Sequence, residues 1–221
     1  MGIIAKSKVI ACATVMEEIV PLLPPDVAHT VLDFGLHVNP GQLKRALQDE
    51  IDRSAGEAEA LILGYGLCSQ AVVGLRATGS TLVVPKVDDC ISIFLGSRAR
   101  YRELCRSEPG TYYLTKGWIE VADTPFSEHE RLVERYGRER ADRIVGVMLK
   151  NYTRLLLIKT GQYSLERSRE YSRIMAERFG LRFEEIEGST TLIRKMVEGN
   201  WDDEFVVVPP GGEIGLEAFL N

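Results

Sequence analysis

Short apolar runs rich in β-branched residues alternate with longer stretches of helical period along almost the whole chain. That alternation leaves few architectures open, because it is the pattern of repeated βα units around a mainly parallel sheet. Eight runs read as strands. Five are centred on KVIAC (Lys8 to Cys12), HTVLDF (His29 to Phe34), ALILGYG (Ala60 to Gly66), TLVVP (Thr81 to Pro85) and TYYLT (Thr111 to Thr115). Three more follow a break at Asp123 to Pro125: LLLIKT (Leu155 to Thr160), LRFEEIE (Leu181 to Glu187) and EFVVVP (Glu204 to Pro209). The expected class is α/β, with mainly parallel sheets flanked by helices in a Rossmann-like arrangement of two lobes. The break divides the chain into residues 1–124 and a smaller lobe, 125–221.

Helical punctuation supports the same reading. Ser127 with Glu130 three residues later has the form of a capping box. Leu132, Val133, Tyr136, Ile144, Val145 and Met148 then recur at three- and four-residue steps, which predicts one long helix lying on a sheet. Another helix is expected from near Ser164 to Gly180, a residue suited to the left-handed conformation that ends helices. Ser189 is placed to cap the last one.

With 221 residues the chain can bury roughly 70% of the surface its unfolded form exposes, so it needs no staples. There are 27 basic and 32 acidic residues, a net charge of -5, and no excess of positive charge to draw in nucleic acid or anionic lipid. No apolar stretch is long enough to span a bilayer, and MGIIAKSKVIACA lacks the apolar core of a signal peptide. A cytoplasmic protein is expected, with neither nucleic acid nor membrane as partner.

Four cysteines, Cys12, Cys68, Cys90 and Cys105, form no CxxC pair, so neither a zinc ribbon nor a thioredoxin-type motif is present. Cys105 lies inside a helical stretch. Of the other three, Cys12 ends the first predicted strand, Cys68 follows the third and Cys90 follows the fourth. Parallel strands share one carboxyl edge, where open α/β sheets bind ligands, so three thiols remote in sequence are expected to meet there. Helix amino termini at the same junctions favour thiolate over thiol. Three thiolates leave one position on a tetrahedral ion or on one iron of a cluster, and Glu18 and Asp89 are the acids placed to take it. Soft sulfur ligands favour an iron–sulfur cluster or a soft transition metal such as zinc over magnesium or calcium.

Other motifs are weaker. In GYGLCS, Ser69 stands where a dinucleotide fingerprint has its third glycine, but Gly64 and Gly66 let backbone approach a bound group, or another chain segment, closely. Lys116 and Trp118, after another strand, are candidate substrate contacts. The glycine-rich PPGGEIG loop (Pro209 to Gly215) reads as a cover for a ligand at the same sheet edge or as a terminal turn. GxxxxGK[ST] and GxSxG are both missing, so P-loop and serine-hydrolase chemistry lack their minimal parts.

The blocks IACATVMEE, YGLCS, VPKVDDCISIFLGS and PGTYYLTKGWIE resemble those of domain-of-unknown-function family 1638. The resemblance implies that Cys12, Glu18, Cys68 and Cys90 fall on recurring polar positions of the family. It also implies one-carbon or metallocofactor metabolism, with a small molecule or a corrinoid protein of a methyl-transfer system as partner. Three functional readings follow: a metal or iron–sulfur protein on Cys12, Cys68 and Cys90; a metal-free, racemase-like enzyme using two of these thiols as acid and base; and a small-metabolite binding module in which the cysteines only pack.

Overall fold

The computed structural model describes residues 6–68, 70–121, 124–160 and 164–220. All eight expected strands are present: β1 (Ser7–Cys12), β2 (Ala28–Leu32), β3 (Ala60–Gly64), β4 (Thr81–Pro85), β5 (Thr111–Leu114), β6 (Arg154–Lys159), β7 (Arg182–Glu187) and β8 (Phe205–Val208). The helices are α1 (Ala13–Ile19), α2 (Pro40–Arg53), α3 (Cys90–Leu95), α4 (Arg98–Ser107), α5 (Lys116–Val121), α6 (Pro125–Tyr136), α7 (Arg138–Leu149), α8 (Glu166–Phe179) and α9 (Thr191–Glu198). The fold is α/β, with one five-stranded sheet ordered β2-β1-β3-β4-β8 and one three-stranded sheet ordered β5-β6-β7. None of the described helices is long and apolar enough to cross a membrane.

In the larger sheet the four strands β2, β1, β3 and β4 are parallel. Central β3 is buried along its whole length, as expected of a strand covered on both faces, whereas edge strand β2 is largely exposed. α2 shows how local sequence positions such a cover. Asn39 accepts the Gln42 N–H, Pro40 opens the first turn, and Leu43, Leu47 and Ile51 recur at helical spacing to form the buried face.

Three expectations change. β8 runs antiparallel to β4, pairing Phe205 with Pro85 and Val208 with Leu82. Its carboxyl end therefore lies at the amino-terminal edge of the parallel strands. The Pro209–Gly215 loop packs there against residues 74–77, with Gly74 N–H donating to Ile214 O at 2.7 Å and Ile214 N–H to Leu75 O at 2.9 Å. It is a structural turn away from the edge that carries the cysteines, because strand direction decides which edge a loop reaches.

The long helix is instead two, broken at Gly137 (φ 79°, ψ 159°), a conformation outside the helical region that glycine adopts without a Cβ clash. Its capping box is made by Thr124 and Ser127: Ser127 N–H donates to Thr124 Oγ1 at 3.1 Å and Thr124 N–H to Ser127 Oγ at 2.9 Å. α8 does stop at Gly180, with φ 67°. Ser189 Oγ accepts the Thr191 N–H at 3.2 Å ahead of α9.

The division into lobes also differs. One compact unit comprises residues 1–100 and 189–221, and the other residues 101–188. Strand pairing explains why: β8 returns to the first sheet, while β5, ahead of the Asp123 to Pro125 break, pairs with β6 beyond it. The second unit has its own core, in which Leu114, Phe126, Val145, Leu149, Leu155 and Leu157 are buried.

Candidate functional site

The carboxyl edge of the parallel strands carries a cluster of polar and sulfur-bearing side chains, all in the first unit. Ala11 on β1 pairs in register with Gly64 on β3, so the next residues, Cys12 and Tyr65, leave their strands side by side. Cys12 is the N-cap residue of α1, 1% exposed, with Sγ 3.2 Å from Thr14 Oγ1. Cys90 is the first residue of α3 and is buried; Asp89 caps that helix, its Oδ1 accepting the Ile91 N–H at 2.9 Å. Cys68 is half-buried in the turn after β3, where no helix follows immediately. Its φ of 46° is unusual for a residue with a Cβ, and Gln70 shares it at 67°.

Two main-chain contacts hold this turn against the β4 exit. Leu67 N–H donates to Val87 O at 2.8 Å and Cys68 N–H to Asp88 O at 3.2 Å. Gly66 makes the approach possible, since a Cβ there would stand 2.9 Å from both N and Cα of Asp89. A Cβ on Gly64 would meet Ala11 Cβ at 2.7 Å. Both glycines thus have a packing reason to lack a side chain.

Cys12, Cys68 and Cys90 lie within electrostatic reach of one another and of the Tyr65 hydroxyl. Their acidities run against the thiolate expectation. Burial pushes Cys12 up from its ordinary value, pushes Cys68 up to about 12, and pushes Cys90 up as well, with the neighbouring sulfurs adding to the last two. Desolvation outweighs the helix termini because α1 and α3 are single short helices and Cys68 faces none. At neutral pH the cluster therefore holds three neutral thiols.

This has a measurable consequence. A thiol that ionises near 9 when unfolded and near 12 when folded stabilises the fold fully below about pH 9, and that stabilisation is lost as pH rises towards about 12. The metal-free protein is expected to lose melting temperature across that window. Cys68→Ala should flatten the alkaline limb, and a limb of unchanged slope in the variant would show that Cys68 is not the group responsible.

Glu18 is buried on α1, 1% exposed, and the Asp89 charge reaches Cys68 and Cys90. Among the described residues no group of three or more His, Cys, Asp or Glu side chains is placed to hold a metal ion. Three sulfurs are contributed at the carboxyl ends of three strands of one sheet edge.

Lys116 and Trp118 lie in the second unit, on α5. Lys116 pairs with Glu120 at 2.9 Å, and Trp118, whose N–H donates to Thr115 Oγ1, packs partly buried against that unit's core. Cys105, also there, has Sγ 4.0 Å from Tyr113 Oη.

Two further residues stand at this edge: Tyr65, which the sequence did not single out, and His37, which it reads as a structural or exposed histidine. Tyr65 is 1% exposed, with a hydroxyl that has no hydrogen-bond partner among the described residues. His37, in the 3-10 turn Phe34–Val38 after β2, donates Nδ1–H to Phe34 O at 2.9 Å and stacks between Phe34 and Tyr65, at 4.9 and 5.8 Å between ring centroids. The findable signal was position: each follows a parallel strand, as the cysteines do.

A family model described as "Protein of unknown function (DUF1638)" matches residues 31–197. The chain belongs to this family. Tyr65, Cys68 and Cys90 fall within the match, and Cys12 and Glu18 precede it. Neither the curated proteins nor the solved structures yield a match.

Proposed function

We propose that this protein binds a soft transition metal or an iron–sulfur cluster through Cys12, Cys68 and Cys90, and serves one-carbon or metallocofactor metabolism. The observation that carries the reading is the gathering of three sulfurs from three separate strand ends at one edge, each within electrostatic reach of the others. Burying three thiols together gives little packing that alanine or valine would not give, whereas a soft ion uses all of them. Binding replaces thiol protons with the ion's charge and so reverses the acidity of the cluster. Glu18 or Asp89 would serve as auxiliary ligand or proton carrier, with Asp89 already engaged as a helix cap through Oδ1. A small molecule or a corrinoid protein is the corresponding partner.

Purification without oxygen, followed by a visible spectrum and metal analysis, tests the proposal. About one ion, or one cluster with thiolate-to-iron absorption, per chain is expected. Colourless, metal-free protein that takes up neither zinc nor iron and sulfide would overturn it. Two thiols that alkylate rapidly in such protein would favour the two-cysteine acid–base enzyme.

A further inference from the structure

We infer that β2 pairs with β2 of a second copy of this chain, antiparallel about a two-fold axis at Val31, joining two five-stranded sheets into one. The inference stands apart from the metal reading and needs no ion. β2 is an edge strand: it is bonded to β1, and among the described residues no strand pairs with its other side. Exposed strand edges are usually guarded by charge, proline or a bulge, because their open N–H and C=O groups recruit any strand that meets them. β7, an edge strand of the smaller sheet, is guarded in this way by Arg182, Glu184, Glu185 and Glu187. β2, with the sequence Ala28-His29-Thr30-Val31-Leu32, holds no lysine, arginine, acid or proline, and its Val31 is 51% exposed.

The strand is complementary to itself in one register. Thr30 Oγ1 donates to Glu50 Oε1 at 2.8 Å, so Thr30 faces α2, and His29, Val31 and Asp33 alternate onto the opposite face. Asp33 continues the extended line of the strand, with φ -59° and ψ 133°. Antiparallel pairing centred on Val31 sets this side chain against its own copy and His29 against the partner's Asp33, twice by symmetry. One apolar contact is then flanked by two complementary pairs, in each of which an imidazole N–H donates to a carboxylate. Asp33 Oδ1 accepts the Gly35 N–H at 2.7 Å, which leaves Oδ2 for the new bond. Other registers lose the match. Centring on His29 opposes two imidazoles and centring on Asp33 two carboxylates, while centring on Thr30 or Leu32 sets Val31 against a polar side chain. A single pair of short strands is a small interface, so the dimer is reversible.

Sedimentation equilibrium of the metal-free, full-length chain over a range of concentrations tests this, with thermal unfolding as the check on folding. A reversible monomer–dimer equilibrium is expected, and hydrogen exchange at the outward amides of β2 should slow as concentration rises. Val31→Lys should be monomeric yet melt close to the wild type, because the side chain it replaces is half exposed. His29→Glu opposes like charges at two places and should weaken association about 10-fold, whereas His29→Arg keeps the opposite charge and should associate at least as tightly as the wild type. A residue that only supported the fold would not move association in opposite directions. Wild-type protein that is monomeric at every concentration overturns the inference, and so does a dimer that tolerates both Val31→Lys and His29→Glu. Where Val31→Lys fails to fold, the two His29 variants decide: equal association in both overturns the pairing.

Discussion

If the proposed metal site is right, Cys68→Ala is expected to abolish stoichiometric metal and Cys105→Ala to retain it. Cys68 is the least buried residue of the three and sits on a backbone turn at φ 46° that is fastened to the β4 exit, so its loss removes a donor and leaves the turn in place. The affinity loss should exceed the roughly 10- to 100-fold that a change in an outer contact costs, because a bond to the ion is lost outright. Cys12→Ala and Cys90→Ala should act alike. Cys105 provides the control: it belongs to the other unit, on α4 beside Tyr113. Metal content per chain, measured after anaerobic purification of all four variants, decides the matter. Equal retention in every one would separate the ion, if present, from these cysteines.

The second large effect is expected at Gly66, a position with no titratable atom. Gly66→Ala puts a methyl group 2.9 Å from two backbone atoms of Asp89 and from Val87 Cγ2. Backbone cannot rotate away as a side chain can, so the two junctions must separate. Overpacking of this kind costs about 1–3 kcal/mol. The same displacement stretches the Leu67 and Cys68 N–H contacts to Val87 and Asp88, and it moves Cys68 away from Cys90. Thermal unfolding should show the loss of stability, and cobalt titration a parallel loss of affinity. Full affinity in a clearly destabilised protein would mean that the sulfurs reach their positions without this contact.

Much of the architecture is legible in the residues themselves. Alternating apolar runs mark all eight strands to within two residues at either end, because burial of β1, β3, β4 and β6 on both faces demands nearly continuous apolar sequence. Strand direction is not legible. FVVV reads the same whether β8 runs with β4 or against it, and only the pairing of Phe205 with Pro85 shows that the following loop reaches the opposite edge. Unit boundaries are hidden for the same reason, since Asp123 to Pro125 has the composition of a linker yet joins helices of one unit. At the site, the cysteines are found by counting strand ends. Their raised acidities are not, because desolvation depends on what packs around a sulfur and not on its distance from a helix start. Tyr65 lies within the GYGLCS segment, but only coordinates reveal that its buried hydroxyl lacks a hydrogen-bond partner among the described residues.

The return of β8 has a consequence for biogenesis. The sulfur-bearing unit is made of two separated stretches of chain, with residues 101–188 synthesised between them. During translation, the intervening unit is complete before residues 205–208 emerge to cover the open hydrogen-bonding edge of β4. A nascent chain thus carries Cys12, Cys68 and Cys90 in a unit whose β4 edge stays unprotected for the time it takes to make roughly a hundred residues at about 5–20 per second. The sheet edge that carries the three cysteines is therefore finished only after the second unit has been made.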